Sequence, residues 1–223
     1  MKNFFQSTKI KEAQGFIFDM DGTVINSHYA HYRAWDKVTR AHGLQFKKKE
    51  ITRHFGKTTP SIARALFSEK DDRFIKQISE EKAGYFLQEI PEIQIIEGSE
   101  EVFERLHERG KNICLASSNI KKAIHKVVET FTWEGLIDAI VGLDEIKNGK
   151  PDPEMMEISA RKLRLETSEC IVIGDSIYDI QSGIAAGSKL TVGVLTGIFS
   201  KEKLLAAGAN LVLETAGSLL EWL

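Results

Sequence analysis

Cysteine is scarce in this 223-residue chain, and long apolar runs are missing altogether. No stretch approaches the ~18 consecutive apolar residues of a membrane-spanning helix, so no membrane partner is expected. The two cysteines, Cys114 and Cys170, lie inside strand-like runs, Ile113-Cys114-Leu115 and Cys170-Ile171-Val172-Ile173. They read as small buried hydrophobes and not as a disulfide or metal pair. An excess of either charge is also lacking: the formal net charge is −2, which excludes a global field that recruits nucleic acid. The densest basic run, Lys47-Lys48-Lys49, is expected to be a solvated face or loop. Neither an internal repeat nor a low-complexity tract is visible. Residues 1–13 mix Phe4-Phe5 with Lys9, Lys11 and Glu12, charges too early for a secretory signal. A cytoplasmic protein is expected.

What the chain does have is enough apolar content, 42%, to bury a substantial core. Its organising stretch is Gly15-Phe16-Ile17-Phe18-Asp19-Met20-Asp21-Gly22-Thr23. The continuous apolar run 15–18 predicts a parallel strand buried on both faces. Asp19 then falls at its carboxyl end, where open α/β sheets bind ligands. Two acids so close repel and raise each other's pKa, which points to a cation or a proton transfer that uses them. Asp21-Gly22 is equally suited to a type I′ turn. An EF-hand loop fails on spacing, because Val24 and Ala30 occupy the places of the required Gly and Glu.

From residue 27 to about 91 the pattern turns helical: Ala30, Ala34, Trp35 and Val38 recur at helical spacing, as do Ile62, Ala65 and Leu66, then Ile75, Ile78, Phe86 and Leu87. Phe55-Gly56-Lys57-Thr58-Thr59-Pro60 breaks this segment with a loop. A P-loop is rejected, since Ile51 stands where the first Gly belongs and no buried strand precedes it. Strands and helices then alternate. Ser99 is expected to cap a helix carrying Val102, Phe103 and Leu106. Strands are expected at 112–116, 139–141, 171–173, 190–195 and 211–212, with helices at 121–130, 155–163 and 201–207. This alternation implies a parallel sheet covered by helices on both faces.

Polar groups fall at or just beyond successive strand ends: Asp19 and Asp21, Ser117, Lys150, and Asp175 with Asp179 after it. In a doubly wound sheet such ends lie along one edge and converge. Three acids there can hold a hard cation such as Mg²⁺, while a hydroxyl and an ammonium grip phosphoryl oxygens. Singly each has a bland reading, as strand end, loop cation or helix cap.

In this order the motifs resemble the haloacid dehalogenase superfamily, subfamily I with a helical C1 cap, and within it the phosphoglycolate-phosphatase and β-phosphoglucomutase-like members. Asp19-Met20-Asp21-Gly22-Thr23 matches the first motif, Ser117 the second, Lys150 the third, and Gly174-Asp175-Ser176 with Asp179 the fourth. The resemblance implies a Rossmann-like doubly wound parallel core from 1–26 and 95–223, with 27–94 as an inserted helical cap. It implies Asp19 as nucleophile, forming an aspartyl-phosphate, and Asp21 as general acid and base with a pKa moved toward neutrality. It further implies Mg²⁺ on Asp19, the backbone carbonyl of Asp21 and Asp175, with Asp179 acting through water or as support. Ser117, the Ser118 amide and Lys150 would hold the phosphoryl group. An aspartate at position 21, absent from dehalogenases, favours phosphoryl transfer over carbon–halogen cleavage.

His31-Tyr32-Arg33-Ala34-Trp35 resembles the first cap helix of β-phosphoglucomutase and related sugar-phosphate phosphatases, with Trp35 expected in the core. The mutase pattern carries an arginine in the cap loop, but here the loop reads Gly56-Lys57-Thr58-Thr59-Pro60. Lys lacks the bidentate fork of Arg, which favours a phosphatase. A catalytically silent binding module would lose at least one of Asp19, Asp21, Lys150 and Asp175, and all are present. A phosphonate hydrolase would need a Schiff-base lysine in the cap, and none stands out by sequence. Substrate choice is expected to rest on His28, His31, Lys57, Thr58, Thr59 and Lys82. The expected partner is a small phosphorylated metabolite, a sugar phosphate or phosphoglycolate-like compound, with the chain a monomer or weak homodimer.

Overall fold

Gly15–Phe18 is buried at every position, as the unbroken apolar run requires, and it forms the centre of the sheet. The computed structural model describes residues 2–223, with side chains from Phe5 onward; Met1 and the Phe4 side chain of the N-terminal reading lie outside the described residues. In chain order the elements are α1 (Lys2–Glu12), β1 (Gly15–Phe18), β2 (Ile25–Asn26), α2 (His28–Ala41), α3 (Lys48–Thr52), α4 (Thr59–Leu66), α5 (Asp72–Glu89) and β3 (Gln94–Ile95). They continue with α6 (Ser99–Glu108), β4 (Asn112–Ala116), α7 (Lys121–Thr130), β5 (Ala139–Val141), α8 (Glu154–Lys162), β6 (Cys170–Gly174), α9 (Ile177–Ala185), β7 (Leu190–Val194), α10 (Lys201–Ala206) and β8 (Leu211–Leu213).

The main sheet has the order β5-β4-β1-β6-β7-β8, and every pairing is parallel. Phe18 sits beside Leu115 on one side and Ile173 on the other, so β1, β4 and β6 end level with one another. This register brings distant polar residues to one edge. Alternate residues of β1 enter two cores: Phe16 and Phe18 pack with Val102, Phe103, Leu106 and Val127, whereas Ile17 packs with Met155, Met156, Ala160 and Leu163. Cys114 and Cys170 are free and buried. Burial pushes both thiols up to about 12, so they stay inert.

Helices α2 to α5 form an insertion with its own apolar cluster, including Trp35, Val38, Ile51, Phe55, Ile62, Leu66 and Ile78. Two short strands connect it to the sheet, β2 pairing antiparallel with β3. The junction is therefore a hydrogen-bonded ladder. Lys47-Lys48-Lys49 is solvated as expected, with Lys48 and Lys49 opening the short helix α3. One local expectation needs correction. Gly98, at φ 80, takes the N-cap position of α6, and Ser99 is the first helical residue; a Cβ at Gly98 would press against the Gly217 backbone.

Candidate active site

Asp19 leaves β1 with its amide donating to the Ile173 carbonyl at 2.8 Å. This fixes its carboxylate at the edge between β4 and β6. Lys150, on the loop before α8, donates from Nζ to Asp19 Oδ1 at 2.6 Å and to the Ala116 carbonyl at 3.2 Å. The same ammonium lies 2.6 Å from Asp179 Oδ1. Asp179 Oδ2 accepts from the Ser176 amide at 3.1 Å and its hydroxyl at 2.5 Å, closing the N-terminus of α9. Both oxygens of Asp179 are thus engaged, and the helix-cap reading holds for this residue and not for Asp175.

Asp19, Asp175 and Asp179 are buried, and each offers one oxygen within 4.8 Å of the others. Burial raises Asp175 well above the ordinary carboxylate range, with Asp19 and Asp179 adding to it. Asp19 is raised to about 7 by burial, against the pull of Lys150 and with the push of Asp179 and Asp21. Burial thus favours the protonated form of Asp19 in the bare protein. With every group ionised, Asp19, Asp21, Asp175 and Asp179 outnumber Lys82 and Lys150 by two charges. A hard divalent cation fits that deficit and the all-oxygen donor set.

Asp21 faces the other way. Its Oδ1 accepts from Ser27 Oγ at 2.6 Å and His31 Nε2 at 2.8 Å. Its Oδ2 accepts from Ser117 Oγ at 2.9 Å and Asn119 Nδ2 at 2.6 Å. Burial raises its pKa, but His31, Ser27 and Lys82 together outweigh burial and hold it well below the usual carboxylate range. The expected shift toward neutrality is therefore reversed: Asp21 rests as an ionised base. Gly22 follows in a turn at φ 79, but Asp21 is not at positive φ, so the step is not the type I′ turn of a hairpin, which needs positive φ at both central residues.

Behind Asp21 stands a chain of polar groups. Lys82 Nζ lies 2.7 Å from His31 Nδ1, and His31 stacks on Phe86 with centroids 4.1 Å apart. An ammonium only donates, which assigns Nδ1 as acceptor and leaves the Nε2 proton for Asp21. Burial and the Lys82 charge lower His31 to about 4, against the pull of Asp21. Burial lowers Lys82 to about 8, with Asp21 opposing.

The insertion roofs these groups over a cavity of about 70 Å³ lined by Asp19, Asp21, His28, His31, Lys57 and Lys82, with further walls from Thr59, Ser118, Asn119, Lys150, Asp175 and Phe199. Two expected residues stand elsewhere. The Ser117 hydroxyl is fully buried and committed to Asp21, leaving Ser118 and Asn119 at the cavity wall. Thr58 pairs through Oγ1 with Ser61 Oγ at 2.8 Å, and its neighbour Thr59 lines the site. Sequence reasoning missed Ser27 and Asn119. Lys82 had a legible signal, since it falls on the buried stripe of α5 with Ile75, Ile78 and Phe86, where a lysine has no structural use.

A parallel sheet with acids and a lysine converging at its carboxyl edge, roofed by an inserted helical unit, defines a phosphohydrolase-type enzyme. The profile of the haloacid dehalogenase-like hydrolases matches residues 16–193, and the chain belongs to that family, in its phosphatase and β-phosphoglucomutase-like branch. It is 26% identical over 201 residues to a phosphorylated carbohydrates phosphatase of Thermotoga maritima, covering 88% of this chain and 92% of the relative. It is 25% identical over 217 residues to the pyrophosphatase PpaX of Bacillus velezensis, covering 94% and 96%. Among solved structures, a β-phosphoglucomutase of Clostridium difficile is similar, with a TM-score of 0.81, 27% identity and 93% of each chain covered. Among the described residues no helix is long and apolar enough to cross a membrane.

Proposed function

We propose that this enzyme is a Mg²⁺-dependent phosphatase that hydrolyses a small phosphorylated metabolite through an aspartyl-phosphate on Asp19, with residues 27–94 serving as its cap. The observation that carries the reading is the pairing of Asp19 with Lys150 at 2.6 Å beside two further buried carboxylates, with Asp21 held separately by His31 at 2.8 Å. One carboxylate is thereby aimed for attack and the other reserved for protons.

Asp19, the Asp21 carbonyl and Asp175 would hold Mg²⁺, with Asp179 supporting them through Lys150 and Ser176. The ion supplies charge that keeps Asp19 ionised and favours binding of a phosphoryl group. An Asp19 oxygen attacks phosphorus as the bond to the leaving oxygen breaks. The approaching phosphate anion raises the proton affinity of Asp21, which takes up a proton from solvent as the substrate enters and passes it to the leaving oxygen. Asp21, ionised again, removes a proton from water. That water attacks phosphorus, the bond to Asp19 breaks, and phosphate departs. Lys150 pairs with Asp19 and the phosphoryl oxygens throughout, and the Ser118 amide holds another oxygen. Roofing by the insertion keeps bulk water out.

The mutase reading has one observation in its favour, the likeness to a β-phosphoglucomutase. Lys57, not an arginine, lines the cavity from the insertion loop, which supports hydrolysis instead. Phosphate release from sugar phosphates, phosphoglycolate, nucleotides and pyrophosphate, with Mg²⁺ or EDTA and beside Asp19→Asn, tests the proposal. Metal-dependent release lost in the variant supports it. Conversion of β-glucose 1-phosphate to the 6-phosphate without release overturns it in favour of the mutase.

A further inference from the structure

The catalytic cavity continues into a groove on its Asp21 side. Thr59 and Asn119 line the cavity of about 70 Å³ and also a groove of about 630 Å³ between α5 and the start of α7. Asn119 is the residue that donates to Asp21 Oδ2, and Asp21 serves the leaving oxygen. The groove therefore begins where a leaving group emerges. Its floor is apolar, made by Ile75, Ala83, Leu87, Ile120 and Leu143, none of them exposed. Its charged residues stand at the exposed rim. There Arg64 and Asp72 neutralise each other at 2.7 Å, and Lys76, Glu80 and Lys122 carry the remaining charge.

Two residues along the groove are poor choices for the helices that carry them. Gly84 is an exposed glycine inside α5, where almost any residue but proline holds a helix better. Its φ is not positive, and a Cβ there would meet nothing within 4 Å among the described residues. Neither conformation nor packing asks for glycine. Half-buried Ile120 stands at the N-cap of α7 and makes no side-chain cap, at a position that favours Ser, Thr, Asp or Asn. The groove is what the two share: glycine keeps one wall low, and isoleucine makes the other apolar. The cavity itself, about 70 Å³, holds roughly five to seven water-sized atoms, a phosphoryl group and little of its ester. We infer that the groove binds the distal part of the leaving group, and that this part is an uncharged, apolar chain or ring. The substrate class is then a phosphate monoester of an alcohol with an apolar end. This inference rests on the phosphatase reading above and narrows it.

n-Hexyl phosphate and ethyl phosphate test it, since they share a phosphate and a primary alcohol and differ only in methylenes remote from the reacting atoms. Each competes, with Mg²⁺ present, against whichever compound of the panel above releases phosphate fastest. Competition reads binding whether or not the competitor is itself hydrolysed. The wild-type enzyme is expected to bind hexyl phosphate about 10- to 100-fold more tightly than ethyl phosphate, as methylenes partly removed from water should give. Gly84→Trp fills the groove, and the open space at that position lets the variant fold, which a thermal melt checks. The ratio is expected to collapse toward one in that variant, whereas a purely structural role for Gly84 leaves it intact. Equal inhibition of the wild-type enzyme by the two esters, no inhibition by either, or a ratio unchanged in folded Gly84→Trp overturns the inference. Failure to release phosphate from every compound of the panel overturns instead the phosphatase reading on which it stands.

Discussion

A β-carbon on Gly149 would overlap the Cγ2 methyl of Thr58, so the loop carrying Lys150 and the insertion loop meet with no space between them. Gly149 is not among the glycines at positive φ, and the backbone itself makes no demand for glycine there. The demand comes from the approach of the insertion. Gly149→Ala is therefore expected to hold the cap away from Lys150, lowering kcat/KM by about tenfold or more while stability changes by less than about 1 kcal/mol. Thr58→Ser, which removes the opposing methyl, is expected to restore activity in the double variant. Steady-state kinetics and thermal melts of the four proteins check this.

Removing Lys150 leaves Asp19 and Asp179 facing each other without a cation. Lys150→Met is expected to abolish phosphate release and to cost about 3–5 kcal/mol in metal-free protein near pH 8, the usual result of breaking a buried pair. The loss should shrink near pH 5, because protons can then neutralise the two carboxylates. Urea denaturation at the two pH values measures the difference.

Asp19 is raised to about 7 and Asp175 is raised in the same direction. The folded metal-free protein thus retains protons that the unfolded chain has released. For these groups stability falls as pH rises from about 4 through 7. Mg²⁺ needs the ionised carboxylates, so its stabilising effect is expected to be larger near pH 8 than near pH 5. Melting temperatures with Mg²⁺ and with EDTA at both pH values check the sign.

The Lys82 ammonium donates to His31 Nδ1, and its charge helps to hold Asp21 ionised. Burial lowers Lys82 to about 8, so activity is expected to fall as pH rises through that value. Lys82→Gln is expected to lack that limb of the profile, and His31→Gln to lower kcat by about 10²-fold. pH–rate profiles of the three proteins check both.

Much of this was legible in the sequence because strand ends are simple places. The apolar run into Asp19, the strand before Ser117 and the strand before Asp175 announced one edge, and the register of β4, β1 and β6 brings those ends together. Charge states were less legible. Asp21 was expected near neutrality, yet four donors from two segments, Ser27 and His31 at the start of α2 and Ser117 and Asn119 after β4, hold it ionised, and no local pattern announces Asn119 or Ser27 as partners. Thr58 and Thr59 differ only in which way a helix start turns them. Lys82 needed the buried stripe of α5 to be read as an anomaly.

The central claim is that Asp19 carries the phosphoryl group. Acid quenching during turnover, borohydride reduction and peptide mass analysis test it most directly, since an acyl phosphate is reduced to the alcohol whereas a free carboxylate is not. The account predicts homoserine in place of aspartate at position 19, dependent on substrate and Mg²⁺ and most abundant when release of the phosphoryl group is slowed. Unmodified Asp19 under those conditions, with phosphate release continuing, would contradict it.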